Sequence, residues 1–320
     1  MAGIYETARD LASAENKLGH EAKFVPPKGF PTKVEQDRGV QVASNGYAFE
    51  ADVLINHSGI VGDLLNAGIP IVHMLHARPR GSYCLEINEK KLPVYTNIRV
   101  IGQDKRYSRF VTFWEEHVPY FENLLDDVLY IPAPVDLDAW SNVGPDGYDF
   151  GGERAEFNVA VAGIGREDSD AFHIINAFIR FARKSNKDVK LHIYAAPDHT
   201  AFSTLKWAAG DYLGEVKGKI TGLQNVYRAA DAVLVSHRIA TRAVREALAC
   251  GCKVVMAPNK NGYTPFTADP MDIDTYAEQI ELALSSDVPT REVAEEKFDS
   301  KKSAEQLIEI VKQVRHKERT

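Results

Sequence analysis

The chain has 320 residues, with 38 Lys and Arg against 45 Asp and Glu, so its formal net charge is −7. Hydrophobic residues make up 44% and charged residues 26%, which excludes a disordered chain, and the length suffices for two domains with separate cores. The acidic balance argues against a surface that is basic throughout, as a general nucleic-acid coat requires. No run reaches the roughly 18 apolar residues of a spanning helix, and charges are interleaved through 1–30, so neither a membrane span nor a signal peptide is expected. Cys84, Cys250 and Cys252 make no disulfide framework, and Cys250-Gly-Cys252 lacks the second ligand pair of a zinc site; a cytoplasmic setting is expected.

Gly3-Ile4-Tyr5-Glu6 opens a predicted helix running to Leu18, and Gly19 to Val25 then turns into a strand, so no strand precedes the first helix. Asp52 to His57 reads as a strand, followed by a helical stretch near Val61 to Ala67 and a second strand over Ile69 to Leu75. Short apolar strands alternating with helices predict a parallel sheet covered on both faces. Tyr130 to Gly152 holds three prolines and four glycines, which end regular structure. The domains are therefore placed at 1–134 and 157–320, with a linker over 135–156. In the second domain Phe157 to Gly163 is a strand, and the helix near Ala171 to Lys184 is expected to bury Phe172, Ile175, Phe178 and Ile179. Val189 to Ala195, Ala232 to Ser236 and Lys253 to Ala257 are further strands. An amphipathic helix over Ser303 to His316 closes the chain, carrying Leu307, Ile308 and Val311, and packs on one of the two domains.

Three segments carry candidate chemistry. A strand ending at Ser236-His237 leads into a helix starting near Thr241, whose first-turn amides point out of the carboxyl edge of the sheet, where open α/β sheets bind ligands. Arg228, His237, Arg238, Arg242 and Arg245 lie in the same stretch, and Glu246 is the helix's one acid. Cations around a helix N-terminus suit a diphosphate, and a carboxylate one turn on suits the vicinal hydroxyls of a sugar. The bland alternative is that Arg242 and Arg245 face solvent while Glu246 pairs with one of them.

The second segment is Gly163-Ile-Gly165-Arg166 after a strand. It begins like a dinucleotide fingerprint but has Asp168 where the third glycine belongs, so the glycines read as a tight turn that presents Arg166. The third is Met74 to Arg80, where His76 and Arg78 leave a strand at its carboxyl end and are candidates for a sugar and a phosphate contact. His57, at another strand end, is a further candidate, and His73 within the strand reads as a packed core residue. Asp136-Leu-Asp138, Asp168-Ser-Asp170 and Asp272-Ile-Asp274 fit Asp-x-Asp, but without other oxygen ligands none makes a Mg²⁺ site, so no metal is expected. From Arg78 to Phe110 there are eight basic residues, among them Arg80, Lys90, Lys91, Lys105, Arg106 and Arg109, against three acidic ones. This local surplus of +5 is either a solvated face or a polyanion site.

The run Val226 to Asp231, the strand to Ser236, then Arg245-Glu-Ala-Leu-Ala-Cys-Gly251 and Lys253-Val-Val resembles the donor-binding signature of family 4 glycosyltransferases of the GT-B architecture. Gly3-Ile-Tyr-Glu with Leu18-Gly-His-Glu21 resembles that family's first helix, and Ile131-Pro-Ala-Pro-Val-Asp136 its passage into the second domain. The resemblance implies two Rossmann-like doubly wound domains facing across a cleft, here without the usual first strand. It also implies a nucleotide-diphosphate sugar as donor substrate, no tightly bound cofactor, and retention of anomeric configuration. Glu246 would hold the donor ribose, Arg166 the diphosphate and His76 the transferred sugar, with Gly3, His237, Arg238, Thr241 and Arg242 also on the donor side and Arg78 beside His76. The chain departs from the family at Arg238, where a second Glu is usual, at Thr241, where Gly is common, and after Arg166, where a Lys is replaced by Asp168 and Asp170.

His76-Ala-Arg-Pro and His237-Arg-Ile-Ala-Thr-Arg242 are similar to phage-encoded glycosyltransferases, some of which modify hydroxymethylated bases in DNA. The expected activity is thus glycosyl transfer to an acceptor hydroxyl, with DNA, a saccharide or a small molecule as acceptor. A sugar-nucleotide epimerase and an inactive nucleotide or DNA binder are the alternatives.

Overall fold

A computed structural model describes residues 2–25, 36–37, 40–43, 50–57, 69–76, 108–122, 125, 127–144, 147–162, 171–194, 207–218 and 220–317. The helix expected near Val61 to Ala67 lies outside the described residues. The chain divides into two compact units, Met1–Asp136 with Phe298–Thr320, and Leu137–Lys297.

The first unit opens with α1 (Ala2–Lys17). The helix stops at Gly19, whose φ of +89° is in the left-handed region that costs glycine least, and the amides of Leu18, Gly19 and His20 return to carbonyls of its last turn. The strand expected after it is reduced to a single bridge, Phe24 to Val42, beside the short antiparallel pair β1 (Gln36–Asp37) and β2 (Val40–Gln41). Four parallel strands follow in the spatial order of the chain: β3 (Leu54–Asn56), β4 (Ile71–Leu75), β5 (Ser108–Thr112) and β6 (Val128–Tyr130). All five residues of β4 are buried, as a central strand covered on both faces requires. Leu75, Phe110 and Val128 form a core with Phe121 of α2 (Val118–Glu122) and Leu125.

The second unit has a five-stranded parallel sheet of β7 (Phe157–Ala162), β8 (Val189–Tyr194), β9 (Leu213–Lys217), β10 (Ala232–Val235) and β11 (Lys253–Met256). Their spatial order is β11-β10-β7-β8-β9. One face carries α3 (Ala171–Lys184) and α6 (Ile273–Ser285), whose apolar stripes share a core with β7, β8 and β10. The helices α4 (Leu223–Ala229), α5 (Arg242–Ala249) and α7 (Arg291–Lys297) pack together as a second group, with α5 against β10 and β11. In α3 the residues Ile175, Phe178 and Ile179 are buried, but Phe172 is 43% exposed. The buried arc centres on Phe178, and at 3.6 residues per turn Phe172 stands about 120° away from it, past the edge of that arc.

The last helix, α8 (Ser300–Lys317), belongs to the first unit, where it packs on α1 and β5. Leu307 and Ile308 are buried in it together with Ala304, Ile310 and Val314, while Val311 is only half-buried. The return is pinned by the Val135–Asp299 bridge and by Ser303 Oγ donating to the Pro132 carbonyl at 2.9 Å.

Residues 137–156 are part of the second unit rather than free of it. Phe150 is fully buried, its ring 4.1 Å from that of His192, and the Tyr148 hydroxyl donates to Glu215 Oε2 at 2.7 Å. Tyr194 donates to the same oxygen at 2.6 Å, and Lys217 pairs with Oε1. Burial pushes the Glu215 carboxyl up, but the Lys217 ammonium and the two tyrosine hydroxyls outweigh this and hold it below the usual carboxylate range. His192 completes the cluster, accepting from the Glu215 amide through Nδ1 at 3.0 Å, with Nε2 3.2 Å from Asn158 Oδ1. Gly214 is required beside it, since a Cβ there would lie 2.4 Å from His192 Cε1.

Candidate functional site

In the second unit the strand order reverses at β7: β8 and β9 add on one side, β10 and β11 on the other. The crevice outside the carboxyl ends of β7 and β10 is therefore the topological switch point, the place where open α/β sheets bind ligands. Two of the segments singled out above follow these strands in the chain. After β7 come Gly163, Gly165 and Arg166, which lie outside the described residues, as do Asp168 and Asp170. After β10 come Ser236 to Thr241 and then α5.

Thr241 is the N-cap of α5, and its side chain makes no capping hydrogen bond. The first-turn amides with the dipole they carry form an electropositive pole at this edge. Arg242 and Glu246, one turn apart on α5, form an ion pair through Nε and Oε1, with side chains 14% and 7% exposed. The pair is thus a buried one, in which both groups have lost most of their water. Arg245 is buried as well. Both arginines were alternatively expected to face solvent; they do not, because α5 is a covered helix with Val244 and Ala247 to Ala249 at or near zero exposure.

His237 is half-buried just past β10, and Arg238 is mostly exposed, donating to Asp269 at 2.9 Å. Arg228 is placed elsewhere: it donates to the Ser141 carbonyl at 3.1 Å and pairs with Asn225, so it anchors the 141–144 segment. The end of β10 is pinned by Tyr276 of α6, a residue not singled out from sequence. Its buried hydroxyl donates to the Val255 carbonyl at 2.7 Å and lies 3.3 Å from the Val235 amide. Beneath α5, burial pushes the Tyr227 hydroxyl well up, reinforced by the Glu246 carboxylate and by Cys250 and Cys252. Burial likewise raises the Cys250 thiol to about 12, so it is an inert core group.

In the first unit the carboxyl ends of β3, β4 and β5 bring together His57, His76 and Phe113. His57 Nδ1 and His76 Nε2 are 2.8 Å apart, and both rings lie against Phe113, with centroid distances of 6.4 and 4.9 Å. Burial depresses His57 to about 3. His73, inside β4, stacks on Phe110 at 5.1 Å, takes the Asn56 side chain at 3.2 Å through Nδ1, and is depressed by burial to about 4. It is a core residue, in line with the sequence reading. Trp114 and Tyr130 extend this edge; the Tyr130 hydroxyl is raised to about 12 by burial and by the charges of Glu115 and Glu116. Phe113, Trp114 and Tyr130 escaped the sequence reading because β5 and β6 did, yet the apolar triplet Phe110, Val111 and Phe113 was the available signal.

Gly3 is in the first turn of α1 and Arg109 in β5. Arg78, Arg80, Lys90, Lys91, Lys105 and Arg106 lie outside the described residues. Of the Asp-x-Asp pairs, Asp136 lies 3.9 Å from Lys17, Asp272 caps α6 through the Thr275 amide, and Asp274 accepts from Arg180 at 2.8 Å. Among the described residues no three His, Cys, Asp or Glu side chains cluster as metal ligands, and no helix is long and apolar enough to cross a membrane.

No protein-family model matches the sequence, and no curated protein matches it. Solved structures do. A glycosyltransferase from Rickettsia africae ESF-5 superposes with a TM-score of 0.72 at 12% identity, covering 98% of this chain and 95% of that one. HepE from Anabaena, in complex with UDP and glucose, gives 0.72 at 15% identity, covering 96% and 95%. Sucrose-phosphate synthase from Thermosynechococcus elongatus gives 0.67 at 16% identity, covering 96% and 92%. At such identities the shared property is the architecture: two parallel-sheet α/β units, matched along nearly the whole chain by glycosyltransferase structures, give this protein the GT-B fold.

Proposed function

We propose that this chain is a nucleotide-sugar-dependent glycosyltransferase, transferring a sugar with retention to an acceptor hydroxyl without a bound metal or other cofactor. The observation that carries the proposal is the position of α5. It begins at the switch point of the second unit and presents Thr241 and Arg242, with Glu246 one turn on, in a fold whose solved relatives include one holding UDP and glucose.

Breaking the donor's glycosidic bond leaves a nucleoside diphosphate, so the work lies in stabilising negative charge that grows on the β-phosphate. Arg166, Arg242 and the α5 amides are assigned that work, Glu246 is assigned to the ribose hydroxyls as acceptor, and Gly3, His237 and Arg238 are assigned to the donor side. His76 and Arg78 are assigned to the transferred sugar. On the acceptor side, the surplus of basic residues between Arg78 and Phe110 favours a polyanion, and hydroxymethylated pyrimidines in phage DNA are the acceptor class we propose. The same assignment puts the protein in the host cytoplasm.

Thermal unfolding in the presence of each nucleoside diphosphate tests the donor site. At a hundred times its dissociation constant the right one stabilises the fold by about 2.7 kcal/mol. Absence of a shift with every diphosphate refutes the proposal. Incubation with the matching nucleotide sugar alone then separates activities: a changed sugar marks an epimerase, and transfer only when a hydroxyl acceptor is added marks a transferase. Binding without either reaction marks an inactive module. The anomeric proton of the product reports retention or inversion.

A further inference from the structure

Beyond Val235 the chain leaves the sheet and becomes the 236–241 segment that leads into α5. At that point the sheet holds β10 from one side only. Its ladder with β7 ends at Leu234 and Val161, while its ladder with β11 runs one residue further, to Val235 and Met256. Met256 in turn faces away from β10: its amide donates to the Phe266 carbonyl at 3.2 Å, and its carbonyl accepts from the Ala268 amide at 3.1 Å. Such parting of neighbours is what opens a crevice at a switch point, and it leaves the strand end with few partners.

Tyr276 of α6 meets this last rung. The residue is fully buried, and its hydroxyl donates to the Val255 carbonyl at 2.7 Å, accepts from the Val235 amide at 3.3 Å and lies 3.1 Å from the Val235 carbonyl. A phenol carries one proton and two lone pairs, so one group ties the two strand ends together. Burial pushes its ionisation well above the usual range, which keeps that proton in place. The start of α6 is fixed by its own cap, since the Asp272 carboxylate takes the Thr275 amide at 3.1 Å and hydroxyl at 2.7 Å, and the Asp272 carbonyl takes the Tyr276 amide at 2.9 Å. Asp269, just before that cap, reaches Arg238 of the 236–241 segment, but this pair is on the surface and holds little.

We infer that Tyr276 is a positioning residue for the donor site: by fastening the end of β10 to β11 it sets where residues 236–241 run, and hence where Thr241 and Arg242 meet a nucleoside diphosphate. The ligand in this inference rests on the glycosyltransferase assignment; the fastening of the segment does not.

Two readouts on the full chain test it. Amide hydrogen exchange needs no ligand and follows Val235, whose amide faces the hydroxyl, and Thr241, whose amide donates to the Ile239 carbonyl at 2.7 Å within the segment. In Tyr276→Phe both are expected to exchange about tenfold faster relative to the amides of β8. Calorimetric titration, at a temperature where every variant is folded, uses UDP or whichever nucleoside diphosphate the thermal screen selects. Its affinity is expected to fall about tenfold in Tyr276→Phe. Ile280→Val and Ile280→Ala, one turn further along α6 at a fully buried position, are the controls: they soften the same core and are expected to leave the exchange ratio and the affinity unchanged.

An unchanged exchange ratio at Thr241 in Tyr276→Phe overturns the inference, because the β10–β11 ladder alone would then fix the segment. Wild-type affinity in that variant overturns it too, as does an equal loss of affinity in the Ile280 variants. Should Tyr276→Phe fail to fold, 4-fluorophenylalanine at position 276, which fills the hydroxyl's volume without its proton, carries the same readouts. A wild type that binds no nucleoside diphosphate, with exchange as expected, instead refutes the glycosyltransferase assignment and leaves the fastening of the segment standing.

Discussion

The Arg242–Glu246 pair is where a structural and a ligand-binding role can be separated by a double-mutant cycle. Both side chains are more than four-fifths buried, so deleting one leaves the other as a buried charge. Breaking such a pair from one side costs about 3–5 kcal/mol, while replacing both partners by apolar groups of similar volume is often near neutral. The two groups are neighbours on one helix and retain some contact with water, so Glu246→Ala is expected at the lower end, about 3 kcal/mol. Glu246→Gln keeps an oxygen for Arg242 and should cost about 2 kcal/mol. The double variant Arg242→Met with Glu246→Leu should be markedly more stable than the sum of Arg242→Met alone and Glu246→Leu alone implies, giving a coupling energy of at least about 1.5 kcal/mol.

Urea unfolding measures these values, and calorimetric titration with the nucleoside diphosphate measures the ligand role on the same proteins. A hydrogen bond to a charged group is worth about 1.5–3 kcal/mol, so each single variant and the double should lose roughly ten- to a hundredfold in affinity. Coupled stability effects without restored binding are the expected outcome. Additive stability effects would refute the energetic reasoning, and a double variant that binds as well as the wild type would show that the pair serves the helix alone.

Arg291 of α7 donates to the carbonyls of Trp140 (3.1 Å), Leu137 (3.3 Å) and Ala249, the last residue of α5. Arg291→Ala should destabilise the second unit by about 2–4 kcal/mol, with Arg291→Lys in between; a loss below about 0.5 kcal/mol by denaturant unfolding would contradict this. Stability should also fall on mild acidification. His57, His73 and His192 are depressed by burial to about 3, 4 and 4, so between pH 6.5 and 4.5 they take up protons only on unfolding. Glu15, raised by burial to about 7, acts in the opposite sense by holding a proton in the fold. The net uptake of about two protons makes the unfolding free energy drop by up to about 2.7 kcal/mol per pH unit across that window, and a flat or rising profile would refute it. DNA binding, if the basic stretch from Arg78 to Phe110 supports it, should weaken steeply with salt in a filter-binding assay; a salt-independent affinity would remove DNA as the acceptor.

Local chemistry made much of this protein legible from its residues. The helix near Ala171 to Lys184 was legible because its apolar positions keep a 3.6-residue period, and β4, β7, β8, β10 and β11 were found because buried parallel strands are continuous apolar runs. Thr241, Arg242 and Glu246 could be named because a strand, a turn and a helix follow one another there within twenty residues. What periodicity could not supply was partnership. The strands β5, β6 and β9 are short, and their status depends on neighbours far along the chain. Phe172 has the helical spacing of its buried neighbours but falls outside the arc that the sheet covers.

The sequence by itself determined the elements and the residues that could bear charge at their ends, since capping, period and turn chemistry act over a few positions. Only the tertiary structure decided the strand order that makes β7 and β10 a switch point and the burial of the Arg242–Glu246 pair. It also decided the return of α8 to α1 and the meeting of His57 with His76, nineteen residues apart. These depend on which surfaces remain to be covered once every local segment has formed, a condition set by the whole chain and written in no single stretch of it.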